Sequence, residues 1–306
     1  MTCIRFVALA AVLSAALTAL AQPSGSITVD QVLYAGRPDP QVIVTNSTDP
    51  NISTLESFLQ GLPPTSPPNC PNLGRRGFLL ENNNVPTFPQ EVRVFQGVIR
   101  IFQSNSLHYF LDVHGLESEL ATLFPPVPSA PAAVIDREPG TPLPLDQLST
   151  MIGLPTNGFE PRYNPAAWND HDGIEHNNND YNYAANKMTG TFAQPGRAAG
   201  KEFTALTCPN VFAAAIADGL LPWVSNVACP NGCYKIAFVV NPGIDYHSYR
   251  QDRGGNWSHK PGRTEVTNKD KSGNLIMHPR TADRGAYTNF CGFMCVSANP
   301  NMVNIR

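Results

Sequence analysis

A proline-rich segment interrupts the chain near its middle and limits what can fold on either side of it. Between Pro125 and Pro144 there are seven prolines in 20 residues, mixed with alanine, serine and glycine. Proline fixes φ and lacks a backbone N–H, so such a segment forms neither a helix nor an inner strand. We therefore predict a linker over residues 125–150, a small module over residues 22–124 and a second domain over residues 151–306.

The N-terminus has the parts of a secretory signal. Arg5 supplies a positive charge, residues 6–17 form a short apolar core, and Ala19-Leu20-Ala21 fits the small-x-small pattern of a cleavage site. Neither this run nor any later segment approaches the roughly 20 apolar residues of a membrane helix. We predict a signal peptide over residues 1–21 and a secreted, extracellular mature chain without a membrane span.

The cysteines of the mature chain indicate disulfide bonds. Removal of Cys3 with the signal leaves six of the seven cysteines. An even number in an exported chain favours disulfides over metal thiolates, and six cysteines allow 15 pairings, so the connectivity stays open. The six are Cys70, Cys208, Cys229, Cys233, Cys291 and Cys295.

Three sequons agree with export and predict a glycoprotein. The acceptor positions are Asn46, Asn51 and Asn256. Without the signal, 20 basic residues stand against 24 acidic ones (Arg5 removed from 21), a net charge of −4. This mild acidity gives no electrostatic footprint for a nucleic-acid partner.

The module before the linker mixes strand and helix patterns. EVRVF and GVIRIF, between residues 91 and 102, alternate apolar and polar side chains as strands do. Residues 53–62 and 116–124 instead have the spacing of short amphipathic helices. These patterns predict a small α+β module whose role the sequence does not indicate.

The second domain begins with helices and continues with strands. Asp180 is placed as the N-cap of a helix YNYAANKM, and Asn210 as the cap of a second helix that ends at Gly219. CYKIAFVV (233–240) is a buried-type strand, and residues 245–262 form a predicted hairpin. Together these predict an α+β domain with an antiparallel sheet.

Three stretches of this domain carry a family resemblance. NNNDYNYAANKMTGTFAQPGRAAG, DYHSYRQDRGGNWSHKPG and YTNFCGFMCV resemble a family of exported proteins, many of which read Asn-Cys-Tyr-Asn-Tyr where this chain has residues 179–183. Its order of elements is similar to that of the NlpC/P60 and CHAP branch of papain-like amidases. The resemblance covers about 130 residues, from Asn177 to the end, and implies a papain-like fold.

The resemblance implies a nucleophile position at Asp180 and a base at His247. Such amidases use a cysteine thiolate at a helix N-terminus, a histidine on a neighbouring strand and a third, orienting polar residue. A carboxylate in the cysteine's place would give a mixed anhydride, and the helix dipole is expected to lower its pKa. We therefore expect Asp180 to face His247 as an ion pair across a partly open groove, without covalent thiol catalysis.

The orienting residue depends on the length of the hairpin loop. An even loop places Ser258 and Lys260 on the face of His247, whereas an odd loop places Trp257 and His259 there. Asn256, Ser258 and His259 therefore all remain candidates.

A metal site is weakly indicated, and no cofactor is predicted. Asp170, His171, Asp172, Glu175 and His176 are suitable ligand types for a loop calcium or a zinc ion. The two histidines are five positions apart, about 140° around a helix, so they would point apart. A plain solvated turn is the favoured interpretation.

Aromatic residues around the same motifs suggest a binding surface. Flat rings with neighbouring amides suit stacking on a glycan or a peptide, although they also suit packing in a core. The candidates are Trp168, Tyr181, Tyr183, Tyr249 and Trp257, with Tyr246 nearby. We predict that the domain binds or remodels cell-wall or surface peptide-glycan material. The alternative is a non-catalytic extracellular structural protein or one that binds carbohydrate or protein.

Overall fold

The computed structural model describes most of the chain as two compact units. The first contains the described residues up to 123 except 35–38, and the second contains 35–38 and the described residues from 154 onward. The described residues are 25–32, 35–45, 50–66, 77–123, 154–169 and 173–306. The predicted signal peptide and linker lie outside them.

The first unit is built on a six-stranded antiparallel sheet. Its order is β2-β1-β3-β4-β5-β6. The predicted EVRVF and GVIRIF strands are confirmed as the hairpin β4–β5. The strands are β1 (Ser26–Gln31), β2 (Gln41–Thr45), β3 (Phe78–Asn83), β4 (Glu91–Phe95), β5 (Val98–Gln103) and β6 (Ser106–Leu111).

Two short helices pack on this sheet. They are α1 (Pro50–Phe58) and α2 (Leu116–Leu123). The predicted helix covered residues 53–62, whereas α1 begins at Pro50 and ends at Phe58. Its first position is a proline, where the missing N–H costs nothing. Both helices contribute buried residues to the core of the unit, which contains Ile27, Ile52, Leu55, Phe78, Leu80, Val92, Val94, Ile99, Leu116 and Leu120.

The second unit is built on a five-stranded antiparallel sheet with three helices. Its order is β10-β9-β8-β11-β7. The strands are β7 (Leu221–Trp223), β8 (Cys233–Asn241), β9 (Asp245–Gln251), β10 (Trp257–Ser258) and β11 (Asn289–Ser297). The helices are α3 (Ile174–Asn177), α4 (Asp180–Ala184) and α5 (Cys208–Ala217).

Both faces of this sheet are covered. On one face Ile236, Phe238 and Val240 of β8 pack with residues of α4 and α5. On the other face Ala237 and Val239 pack with residues from β9, β10 and the segment before β11. Burial on both faces explains why β8 is apolar at nearly every position. The predicted α+β class is confirmed.

Helix α5 begins earlier than the sequence suggested. Its N-cap is Thr207, and Asn210 instead donates from its side chain to the Thr207 hydroxyl over 2.8 Å. Pro209 in the first turn fixes the start, because proline is tolerated only there. The helix ends at Ala217, close to the predicted stop at Gly219.

No helix among the described residues is long and apolar enough to cross a membrane.

Candidate functional site

Asp180 lies at the start of α4, one position inside the helix. The N-cap is Asn179, whose side chain accepts from the backbone N–H of Asn182 over 3.1 Å. The Asn182 side chain accepts in return from the N–H of Asn179, which completes a capping box. The prediction of Asp180 as N-cap was therefore wrong. Because Asn179 satisfies the helix end, the Asp180 carboxyl group is available to contact β9.

The Asp180 carboxyl group meets two consecutive residues of β9. The Ser248 hydroxyl donates to its Oδ2 over 2.6 Å, and Nδ1 of His247 lies 3.7 Å from the same oxygen. Strand β10 pairs with β9 only through Gln251 and Arg250, so β9 has no β10 neighbour at His247.

A second histidine, His259, extends the series of contacts that begins with Asp180 and His247. Nε2 of His247 lies 2.7 Å from Nδ1 of His259, and Nε2 of His259 lies 2.9 Å from the carbonyl oxygen of Lys269. A carbonyl only accepts, so His259 donates to it through Nε2–H. In a neutral His259 ring Nδ1 then accepts, and His247 donates through Nε2–H. The contacts therefore assign one tautomer to each ring.

The hairpin loop decides which candidate orients His247. Strand β9 ends at Gln251 and β10 begins at Trp257, so the loop has an odd number of residues. With this register His259 lies on the face of His247, as the odd alternative required. Asn256 lies in the loop itself, and Ser258 bonds the Tyr183 hydroxyl over 2.6 Å instead.

The expected open groove is absent from this site. Asp180 and His247 are 0% exposed and His259 is 1% exposed. Burial is the largest influence on the pKa of Asp180 and raises it well above the usual value, while the bond from Ser248 acts in the opposite direction. The predicted lowering by the helix N-terminus was therefore wrong, because loss of water outweighs the dipole of a five-residue helix. The site favours a neutral carboxyl group over an ion pair.

The aromatic binding candidates belong to the interior. Tyr183 accepts a hydrogen bond from Arg250 over 2.7 Å, and the guanidinium lies 3.9 Å from its ring centre. No candidate is more than 4% exposed, so stacking on a ligand would require the core to open. Core packing replaces the predicted binding surface for Trp168, Tyr181, Tyr183, Tyr249 and Trp257.

The histidine-rich loop is only partly covered by the described residues. Its first residues, Asp170, His171 and Asp172, lie outside the described residues. Glu175 and His176 of α3 are buried. Within the described ranges no group of three or more histidine, cysteine or acidic side chains could hold a metal ion.

Two disulfides are formed among the predicted cysteines. Cys208 bonds Cys291, and Cys229 bonds Cys295. Cys233 is a free thiol among the described residues, and Cys70 lies outside them, so a third disulfide stays a prediction.

Among the sequons, Asn256 is half-buried in its turn, Asn51 lies in α1 and Asn46 is not described.

Sequence reasoning missed Asp245 and the segment that it holds. The Asp245 carboxylate accepts from the backbone N–H of Ala35 over 2.7 Å and from that of Arg37 over 3.0 Å. More than 200 positions separate the partners in the chain, and all these residues belong to the second unit. No local sequence pattern indicates such a contact, because it depends on the folded chain alone.

Comparison with known proteins gave one informative similarity. Insoluble matrix shell protein 1 of Ruditapes philippinarum is 48% identical over 137 residues, which is 44% of this chain and 89% of that protein. No family model matches the chain. No solved structure matches it either.

Proposed function

The chain belongs to the family of insoluble matrix shell protein 1, and from this premise we propose that it is a secreted structural protein of an insoluble extracellular matrix. The observation that carries the proposal is the 48% identity across 89% of that relative. Similarity over nearly the whole of a matrix protein supports a matrix role for the matched 137 residues. The matched residues are 44% of the chain, so the matrix role of the remaining part is carried by the proposal alone.

The buried Asp180–His247–His259 series supports a non-catalytic protein. The papain-like resemblance assigns these three positions the roles of nucleophile, base and orienting residue. A hydrolase needs a substrate within reach of the nucleophile, whereas these three side chains are at most 1% exposed. Asp180 also lacks the thiol that forms a stable acyl intermediate. In this proposal the series stabilises the fold and does not cleave peptide-glycan material.

The disulfides support residence outside the cell. Two are formed in the second unit, and such bonds persist in oxidising compartments.

Stepwise extraction of the source tissue tests the matrix role. Antibodies against the mature chain should detect it in the extracellular matrix residue after salt and then denaturant without reductant. Complete recovery in the first salt extract would contradict the proposal.

An assay of purified mature chain tests the absence of catalysis. Cleavage of peptide-linked glycans and of amide peptides should be no faster than with buffer alone. The matched variant is His247→Ala. A measurable rate that this variant loses would overturn the non-catalytic assignment.

A further inference from the structure

The segment Ala35–Arg37 is bound in the second unit as a peptide ligand would be. Its backbone N–H groups donate to Asp245, over 2.7 Å from Ala35, 3.5 Å from Gly36 and 3.0 Å from Arg37. Asp245 is only 1% exposed and also accepts from the Tyr287 hydroxyl over 2.5 Å. One buried carboxylate thus accepts hydrogen bonds from three successive backbone N–H groups.

The carbonyl oxygen of Gly36 accepts hydrogen bonds from three buried side chains. Asn179 donates to it from Nδ2 over 2.8 Å and Gln194 from Nε2 over 2.7 Å. The Tyr246 hydroxyl adds a longer bond of 3.4 Å. Both amide side chains are at most 1% exposed, so their positions are fixed by packing. Donors and acceptors of the segment are therefore both matched by buried side chains.

The site also selects the side chains of the segment. A Cβ at Gly36 would lie 2.6 Å from the Tyr246 ring and 2.7 Å from its carbonyl oxygen, so glycine alone fits there. Ala35 is fully buried among Tyr249, Trp257 and Tyr287. The Arg37 guanidinium donates to the Ile244 carbonyl over 2.5 Å. The specificity is a small residue, then glycine, then arginine.

We propose that this cradle, formed by Asp245, Asn179, Gln194 and Tyr246, is a peptide-binding site that accepts the Ala-Gly-Arg segment of a second copy of the chain. The segment lies between β1 and β2 in the sequence, so each copy carries one segment and one site. A segment that enters the site of the next copy makes a head-to-tail contact, and repeated contacts of this kind form an open filament unless the rotation between copies closes a ring. This inference rests on the proposed function, since it supplies the link between copies in an insoluble matrix.

Peptide binding to a full-length variant tests the site. Gly36→Val excludes the chain's own segment, and Gly254→Val is the matched control, because nothing lies within 4 Å of a Cβ at Gly254. The probe is a fluorescent peptide of residues 31–41, QVLYAGRPDPQ, with valine replacing its glycine in a control peptide. The Gly36→Val protein should bind the probe at least 10-fold more tightly than the unaltered or Gly254→Val protein does. Equal weak binding to a folded Gly36→Val protein would overturn the site.

Sedimentation of the unaltered mature chain gives a second test that needs no variant to fold. Oligomers should grow with protein concentration and dissociate in excess probe peptide, whereas the valine peptide should leave them intact. A chain that stays monomeric, or oligomers insensitive to the probe, would overturn exchange between copies.

The two proposals fail separately. Presence in the insoluble matrix without peptide binding rejects this inference alone. If the salt extract releases the chain completely and the purified chain still forms peptide-sensitive oligomers, the matrix role is rejected and the peptide-binding site is retained.

Discussion

Oδ2 of Asp180 and Nδ1 of His247 lie 3.7 Å apart in the interior, where neither side chain is exposed to water. Water stabilises a carboxylate far better than the interior does, so burial raises the pKa of Asp180. Oδ1 of Asp180 has no hydrogen-bond partner within the described residues. Burial therefore favours the protonated form of Asp180 in this buried polar contact, and neutral substitutions can test it.

Asp180→Asn should be tolerated better than Asp180→Ala. Asparagine keeps an oxygen for the Ser248 hydroxyl, whereas alanine leaves that buried donor unsatisfied, at a cost of about 1–3 kcal/mol. Urea unfolding of the two variants and the unaltered chain measures the difference. Equal losses in both variants would show that the charged form of Asp180 matters.

The tautomers of the two histidines are open to direct measurement. Nitrogen-15 NMR of the mature chain near neutral pH should show a proton on Nε2 of both rings and an unprotonated Nδ1 on His259. The reason is that Nε2 of His259 faces a carbonyl 2.9 Å away. A proton on Nδ1 of His259 would contradict the assigned direction of the contact.

His259→Ala should lower the free energy of unfolding. It removes the acceptor of the His247 N–H, 2.7 Å away, and leaves a buried donor unsatisfied at a cost of about 1–3 kcal/mol. A cycle with His247→Ala and the double variant isolates the coupling, which should be about 0.5–3 kcal/mol. Strictly additive losses would show that the contact contributes nothing beyond packing.

Stability should decrease as pH rises from about 4 to 7. Burial raises the pKa of Asp218 to about 6 and that of Asp245 to about 6, from an ordinary 3.8. The folded chain then binds more protons than the unfolded chain between these values, so this contribution is complete below the unfolded pKa and is lost as pH passes about 6. Asp218→Asn cannot titrate and should flatten the profile in urea unfolding. An unchanged slope would contradict the assignment.

Cys70 and Cys233 should form the third disulfide. The other four predicted cysteines are paired with one another, and an exported chain with an even number rarely keeps free thiols. Alkylation of the native mature chain without reductant should add no label, and digestion should release a peptide pair that contains both cysteines. Two labelled thiols would contradict the pairing.

Local patterns predicted the strands well and the site only in part. The alternation in EVRVF and the apolar run in CYKIAFVV predict strands, because these patterns depend only on residues that are adjacent in the sequence. The N-cap of α4 was misplaced by one residue, since Asn179 and Asp180 are both good caps and only the capping box distinguishes them.

Long-range features were beyond local reasoning. His259 was one of three candidates, and the odd loop between β9 and β10 selected it. The burial of Asp180 depends on how the whole sheet is covered, which residue spacing does not reveal. The cradle around Gly36 joins it to Asn179 and Gln194, 143 and 158 positions away, so only the folded structure brings these donors together.

The crossed disulfides have a mechanical consequence. Their cysteines alternate along the chain, with Cys229 inside the span closed by Cys208 and Cys291, and Cys295 beyond it. Under tension between the two ends of the chain, the load passes from Cys208 directly to Cys291, and the 83-residue separation between them cannot lengthen unless a covalent bond breaks. Even with its hydrogen bonds lost, the segment between Cys208 and Cys291 would transmit force through a short covalent link, and only reduction of both disulfides would let the whole segment extend.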